Sequence, residues 1–255
     1  MRLHRLTVAV FALTVAAGTG PTFAAEIVGT PGDDDLVGTS AADVIRGLAG
    51  NDQLSGRGGS DELFGDSGED RLNGGDGPDF LVGGSDGDQV NGAGGDDTIR
   101  VANNDLVHGG AEDDTVIVNG QVNAILGDAG DDTIATGPGA LDVRVLGLVE
   151  QASGGLGDDQ LSESFPAPSE AALIGGAGAD VLESHDGKAL LKGNPGADVF
   201  LVADSEATLF GGDGNDTIHA AGSGRNRIHC GAGVDTVEAD TFDAVDADCE
   251  SVTIS

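Results

Sequence analysis

The chain has 255 residues, 45 of them Gly, with no Trp, no Tyr and a single Met; a conventional globular core of this size carries more aromatics. Acids outnumber bases 45 to 11, a formal net charge of -34. Like-charge repulsion therefore excludes nucleic-acid backbones as natural partners, argues against anionic membranes and favours cations. An acidic, Gly-rich disordered chain would have the same composition, so the order of the residues has to separate the two.

Residues 1–24 read as a secretory signal peptide. Arg2, His4 and Arg5 form a basic start, Leu6 to Ala17 an apolar stretch, and Thr22-Phe23-Ala24 a small-residue cleavage site with the cut after Ala24. About 12 apolar residues are too few to span a bilayer, and no later stretch is long and apolar enough to form a membrane span. The expected location is secreted and extracellular.

From Gly29 the sequence divides into nine-residue units that begin at Gly29, Gly38, Gly47, Gly56, Gly65, Gly74, Gly83 and Gly92. Position six is Asp in each: Asp34, Asp43, Asp52, Asp61, Asp70, Asp79, Asp88 and Asp97. Position eight is always aliphatic: Leu36, Ile45, Leu54, Leu63, Leu72, Leu81, Val90 and Ile99. A fixed period of this length marks a solenoid in which each unit buries its apolar residue only by stacking on its neighbours. Gly supplies the positive φ of tight loops and lets backbone carbonyls approach an ion. Asp carboxylates with such carbonyls make an oxygen set suited to a hard cation such as calcium.

The unit resembles the hemolysin-type (RTX) calcium-binding nonapeptide, G-G-x-G-x-D-x-U-x. Gly74-Gly75-Asp76-Gly77-Pro78-Asp79-Phe80-Leu81-Val82 matches every fixed position, as does Gly211-Gly212-Asp213-Gly214-Asn215-Asp216-Thr217-Ile218-His219. The resemblance extends from about Gly29 to Glu238. It implies an all-β fold, a parallel β-roll (a β-helix-like solenoid) with two nonapeptides per turn. In each unit the first six residues would form a loop and the last three a strand, with Ca2+ held between loops stacked on the same side.

Beyond Arg100 the register loosens but can be followed. One unit around Val101 to His108 is a residue short; Asp114 and Asp132 then hold the slot, with Asn123 between them. Two degenerate units put Leu141 and Glu150 there, and Asp159 restores the pattern. An irregular break over 163–174, about three residues beyond register, contains Phe165-Pro166 and Pro168. Asp180, Asp198, Asp216 and Asp235 follow, with Ala189 and Ala207 in the alternate slots and a one-residue insertion near Gly222 to Arg227. The expected organisation is thus an N-terminal part of the roll over 25–162, the break, read as a bulge or small excursion with separation of two rolls as the alternative, and a C-terminal part over 175–255. The expected calcium ligands are the fifteen slot aspartates named, on both edges of the N-terminal roll and one edge of the C-terminal roll.

Cys230 and Cys249 are nineteen residues apart, close to one turn of such a roll, which would bring their Cα atoms to about 5 Å, within disulfide reach. Their surroundings, Cys230-Gly231-Ala232-Gly233-Val234-Asp235 and Asp248-Cys249-Glu250, are similar to the ending of exported actinobacterial members of that family. A bridge closing the last turn is expected in an oxidising compartment.

No H-E-x-x-H, G-x-S-x-G or P-loop pattern is present, and His108, His185, His219 and His229 are scattered, so no enzyme is expected. Calcium ions are the expected partner. A structural or adhesive cell-surface protein that uses calcium only as scaffold and takes an extracellular or cell-wall ligand is the alternative, and an enzyme acting on polysaccharide a weaker one.

Overall fold

The computed structural model describes residues 24–255 apart from 103, 120–123, 137–149, 164–169 and 223. The expected signal peptide up to Phe23, Asn123, Leu141 and the centre of the break lie outside the described residues. Among the described residues there are 23 strands and no helix long and apolar enough to cross a membrane.

Every strand pairing is parallel, and the first strands skip their neighbour in sequence: Glu26–Val28 pairs with Val44–Ala49, and Asp35–Val37 with Gln53–Gly58. A hairpin cannot produce this order; a coil of two short strands per turn does. The register step is eighteen residues. Ile45 faces Leu63, Leu63 faces Leu81 and Leu81 faces Ile99. The chain is therefore a parallel β-roll with two nonapeptides per turn. Segments 26–28, 44–46, 62–64 and 80–82 start the first sheet, and 35–37, 53–55, 71–73 and 89–91 the second.

The irregular steps appear in the ladder. Val90 faces Val107, the short unit; Ala152 faces Leu173, three residues over; Leu209 faces Ile228, one over. The ladder runs across the break, since Gln160 to Glu163 pairs with Val181 to Ser184. One step differs from the sequence reading: Ile125 faces Ala152, twenty-seven residues on. Of the two degenerate units, the one containing Glu150 pairs with Ala124–Ala129 from Gln151 onward; the other falls in 137–149, outside the described residues. The six-residue loop is also a simplification. Strands such as Gln53–Gly58 continue through the first three positions of the next unit, because consecutive loops bond to each other as the strands do.

The interior is one side chain deep on each sheet. Position eight points inward and is fully buried at Ile45, Leu63, Leu81, Ile99, Leu182, Leu191, Leu209 and Ile218. Each such side chain contributes about 1.5–3 kcal/mol of burial. With so thin a core, stability depends heavily on what happens along the two edges, where the loops stack.

Candidate calcium-binding edges

The loops fall into two columns. The first edge, which leads from first sheet to second, carries loops 29–34, 47–52, 65–70 and 83–88. The second edge, which leads back, carries 38–43, 56–61, 74–79, 92–97 and their successors. On each edge the slot aspartates form a rail in which the backbone N–H of one Asp donates to Oδ1 of the Asp a turn further on. The first edge runs Asp34 to Asp52 (2.8 Å), Asp52 to Asp70 (2.8 Å) and Asp70 to Asp88 (2.9 Å). The second runs from Asp43 to Asp61 (2.7 Å) and on to Asp216 with Asp235 (2.9 Å). Asp132 bonds to Asp159 and Asp159 to Asp180, so the long turn keeps Asp159 on the second edge and every later slot Asp falls in line with it.

The other carboxylate oxygen decides what the rails can do. In Asp52, Asp61, Asp70, Asp79, Asp88, Asp97, Asp114, Asp132, Asp159, Asp180, Asp198, Asp216 and Asp235, Oδ2 is buried and has no hydrogen-bond partner. An unpaired buried carboxylate oxygen is costly unless a cation completes it. The first two loops differ: Asp34 Oδ2 accepts from Thr30 N–H and Oγ1, and Asp43 Oδ2 from Thr39 N–H and Oγ1.

Position one explains the space beside each orphaned oxygen. A Cβ built on Gly109 would lie 2.5 Å from Asp114 Oδ2 and 2.6 Å from the carbonyl oxygen of Gly127, one turn on. A carboxylate of one loop and a carbonyl of the next thus converge on a cradle that only Gly leaves open. Among the described residues no three acid, His or Cys side chains bring ligand atoms within 4.8 Å except Cys230, Asp248 and Cys249, whose sulfurs are bonded to each other. Carboxylates alone do not complete a site, and backbone carbonyls have to supply the remaining oxygens of a six- to eight-fold calcium shell. The donor set, hard oxygens with no nitrogen or sulfur, fits calcium.

Electrostatics point the same way. Burial pushes the Asp97 carboxyl up to about 7; the N–H of Asp79 pulls it back in part, and the charges of Asp79, Asp96 and Glu112 raise it further. Asp88, Asp114, Asp159 and Asp198 are likewise pushed up to about 7, chiefly by burial. Asp70, Asp79 and Asp132 reach about 6 for the same reason. Asp52, Asp61, Asp180 and Asp216 are raised too. Without a cation, the carboxyls pushed up to about 7 are only partly ionised at neutral pH.

Sequence reasoning missed several members of the rails. Asp105 accepts from the N–H of Asp88; the one-residue deletion hid it. Asn226 and Asp243 continue the first edge, and Glu250 ends the second by accepting from Asp235. A second, exposed rail at position five runs in the opposite sense, with Asp113, Asp131 and Asp158 each donating N–H to the preceding carboxylate. The four histidines lie elsewhere and pair with single carboxylates: His108 with Asp128 at 2.9 Å, His185 with Glu183 at 3.1 Å, His219 with Glu238 at 2.8 Å and His229 with Asp246 at 2.5 Å. Cys230 and Cys249 form a disulfide with Cα atoms 5.2 Å apart.

The fold and its edges define a parallel β-roll with carboxylate rails facing open glycine cradles. The profile of the RTX calcium-binding nonapeptide repeat matches residues 28–63, 64–99, 101–134, 172–200 and 210–243. These segments cover well over half of the chain, which belongs to this repeat family. A search of curated proteins finds no match.

Proposed function

We propose that this chain is an exported calcium-binding protein that folds as calcium fills its edges. The observation that carries the reading is the set of thirteen buried Oδ2 atoms without a partner among the described residues, each in a slot aspartate. Calcium neutralises the rails, so its binding energy becomes folding energy. A cell interior low in calcium leaves the chain unfolded and exportable; sites of the extracellular kind bind at about 0.1–1 mM. The apolar stretch before Ala24 and the Cys230–Cys249 bridge support export to an oxidising compartment. The slot aspartates with an orphaned oxygen are the ligands. Asp34 and Asp43, held by Thr30 and Thr39, instead close the N-terminal end of each rail.

Calorimetric titration of the chelator-treated chain with calcium tests this. Multiple calcium ions per chain, with magnesium unable to replace them, are expected. Heat no greater than that of calcium diluted into buffer would remove the reading.

A further inference from the structure

Position one separates the two edges. On the second edge it is Gly in the loops from Gly38 through Gly211, and the cradle is open until Cys230 fills it in the last loop. On the first edge it is Gly only at Gly29, Gly47, Gly65 and Gly83. Beyond these the described loops have Val101, Val118, Ser184, Val202, Ala220 and Ala239 there, all buried. All but Ser184 belong to the hydrophobic core cluster. Side chains occupy the space that the glycine hydrogens leave free elsewhere.

The rail changes with them. Asp105 keeps its place, yet its Oδ2 accepts from the N–H of Ala102 at 2.7 Å. Ala189 and Ala207 carry no carboxylate. Asn226 replaces the acid with an amide whose Oδ1 accepts from Ala207 N–H at 2.9 Å and whose Nδ2 donates to the carbonyl of Ala220 at 3.2 Å. That Nδ2 is the donor that a carbonyl left without a cation requires. Asp243 accepts from Asn226 N–H and Asp240 N–H. The backbone also changes: Val181–Pro195 and Val199–Asp213 pair almost continuously around this edge, Asp186 with Asp204 and Ala189 with Ala207. Among the described residues, the three orphaned oxygens of the first edge, Asp52, Asp70 and Asp88, all precede Val101; the other ten are on the second edge.

We infer that the two edges of this roll do different jobs: the second is a cation rail from Asp61 to Asp216, whereas the first binds cations only as far as Asp88 and, among the described loops, is closed from Val101 onward by core side chains and backbone pairing. The inference rests on the calcium reading above and sharpens it to particular loops. Among the described residues, three sites on the first edge and nine on the second are the upper limit, since Cys230 fills the cradle beside Asp235.

Native mass spectrometry of the full chain in calcium, disulfide intact, counts the ions. Asp97→Asn, on the second edge, lowers the count by at least one. Asp105→Asn, on the closed edge, leaves it unchanged. Asn226→Asp returns a near-isosteric carboxylate to the closed edge and adds no ion, which keeps the test alive should Asp105→Asn fail to fold. Loss of an ion in Asp105→Asn, gain of one in Asn226→Asp, or more than twelve specifically bound ions overturns the edge assignment while leaving calcium binding intact. A wild-type chain that binds no calcium overturns the underlying reading, and this inference with it.

Discussion

The raised carboxyls predict an unusual response to pH when calcium is removed. In the roll Asp88, Asp97, Asp114, Asp159 and Asp198 titrate at about 7, and Asp70, Asp79 and Asp132 at about 6. In the unfolded chain they titrate near the ordinary aspartate value of about 3.9. The folded state therefore holds more protons between these limits, and stability falls as pH rises. Each group's contribution is complete below its unfolded value and is lost as pH climbs through 6 to 7. Between pH 8 and pH 5 each carboxyl is worth about 1–3 kcal/mol, at 1.36 kcal/mol per pH unit. A few such groups exhaust the 5–15 kcal/mol that holds a typical domain together. In chelator, far-UV circular dichroism shows a β signal at pH 5 that disappears as pH rises through 6–7, the reverse of ordinary acid denaturation. Calcium at pH 8 restores it. A chelated chain whose β signal holds constant or strengthens from pH 5 to pH 8 would refute the reasoning.

Other perturbations separate the parts of the structure. Gly109→Ala forces a Cβ against Asp114 Oδ2 and the Gly127 carbonyl; calcium stoichiometry drops and the calcium midpoint of folding rises, whereas Gly32→Ala, whose new Cβ meets nothing nearer than Thr30 Oγ1 at 4.0 Å, changes neither. Replacing Cys230 and Cys249 together by Ser removes a nineteen-residue closure worth about 3 kcal/mol, and hydrogen exchange accelerates in residues 227–254 before it does around Leu81. Leu81→Ala opens a cavity in a fully buried row and costs about 2–5 kcal/mol, read as a lower denaturant midpoint in saturating calcium.

Position eight and position six were legible in the sequence because they obey a strict period, which marked a solenoid and most rail members; the roll and its eighteen-residue register were implied by the resemblance to the RTX nonapeptide. The twenty-seven-residue turn was not legible. The units containing Leu141 and Glu150 have similar patterns, and only the ladder shows which one stacks on Ile125. Asp105 was hidden because a one-residue deletion moved it out of phase. Position one was visible all along, since Val101, Val118 and Val202 replace Gly there. Its meaning depended on knowing that this glycine's hydrogen faces the carboxylate of its own loop and the carbonyl of the next. The opposing position-five rail had no signal either, because Asp, Asn, Glu, Pro and Ala all occur there and only some of them accept the next N–H.

The central claim, that cations complete the buried rails and thereby fold the chain, is tested most directly by following far-UV circular dichroism at pH 8 as calcium is added to the chelated, disulfide-intact protein. The account predicts a cooperative rise from an unfolded spectrum to a β spectrum, reversed by chelator and not produced by magnesium at the same concentration. A full β spectrum in chelator at pH 8, unchanged by calcium, would contradict it.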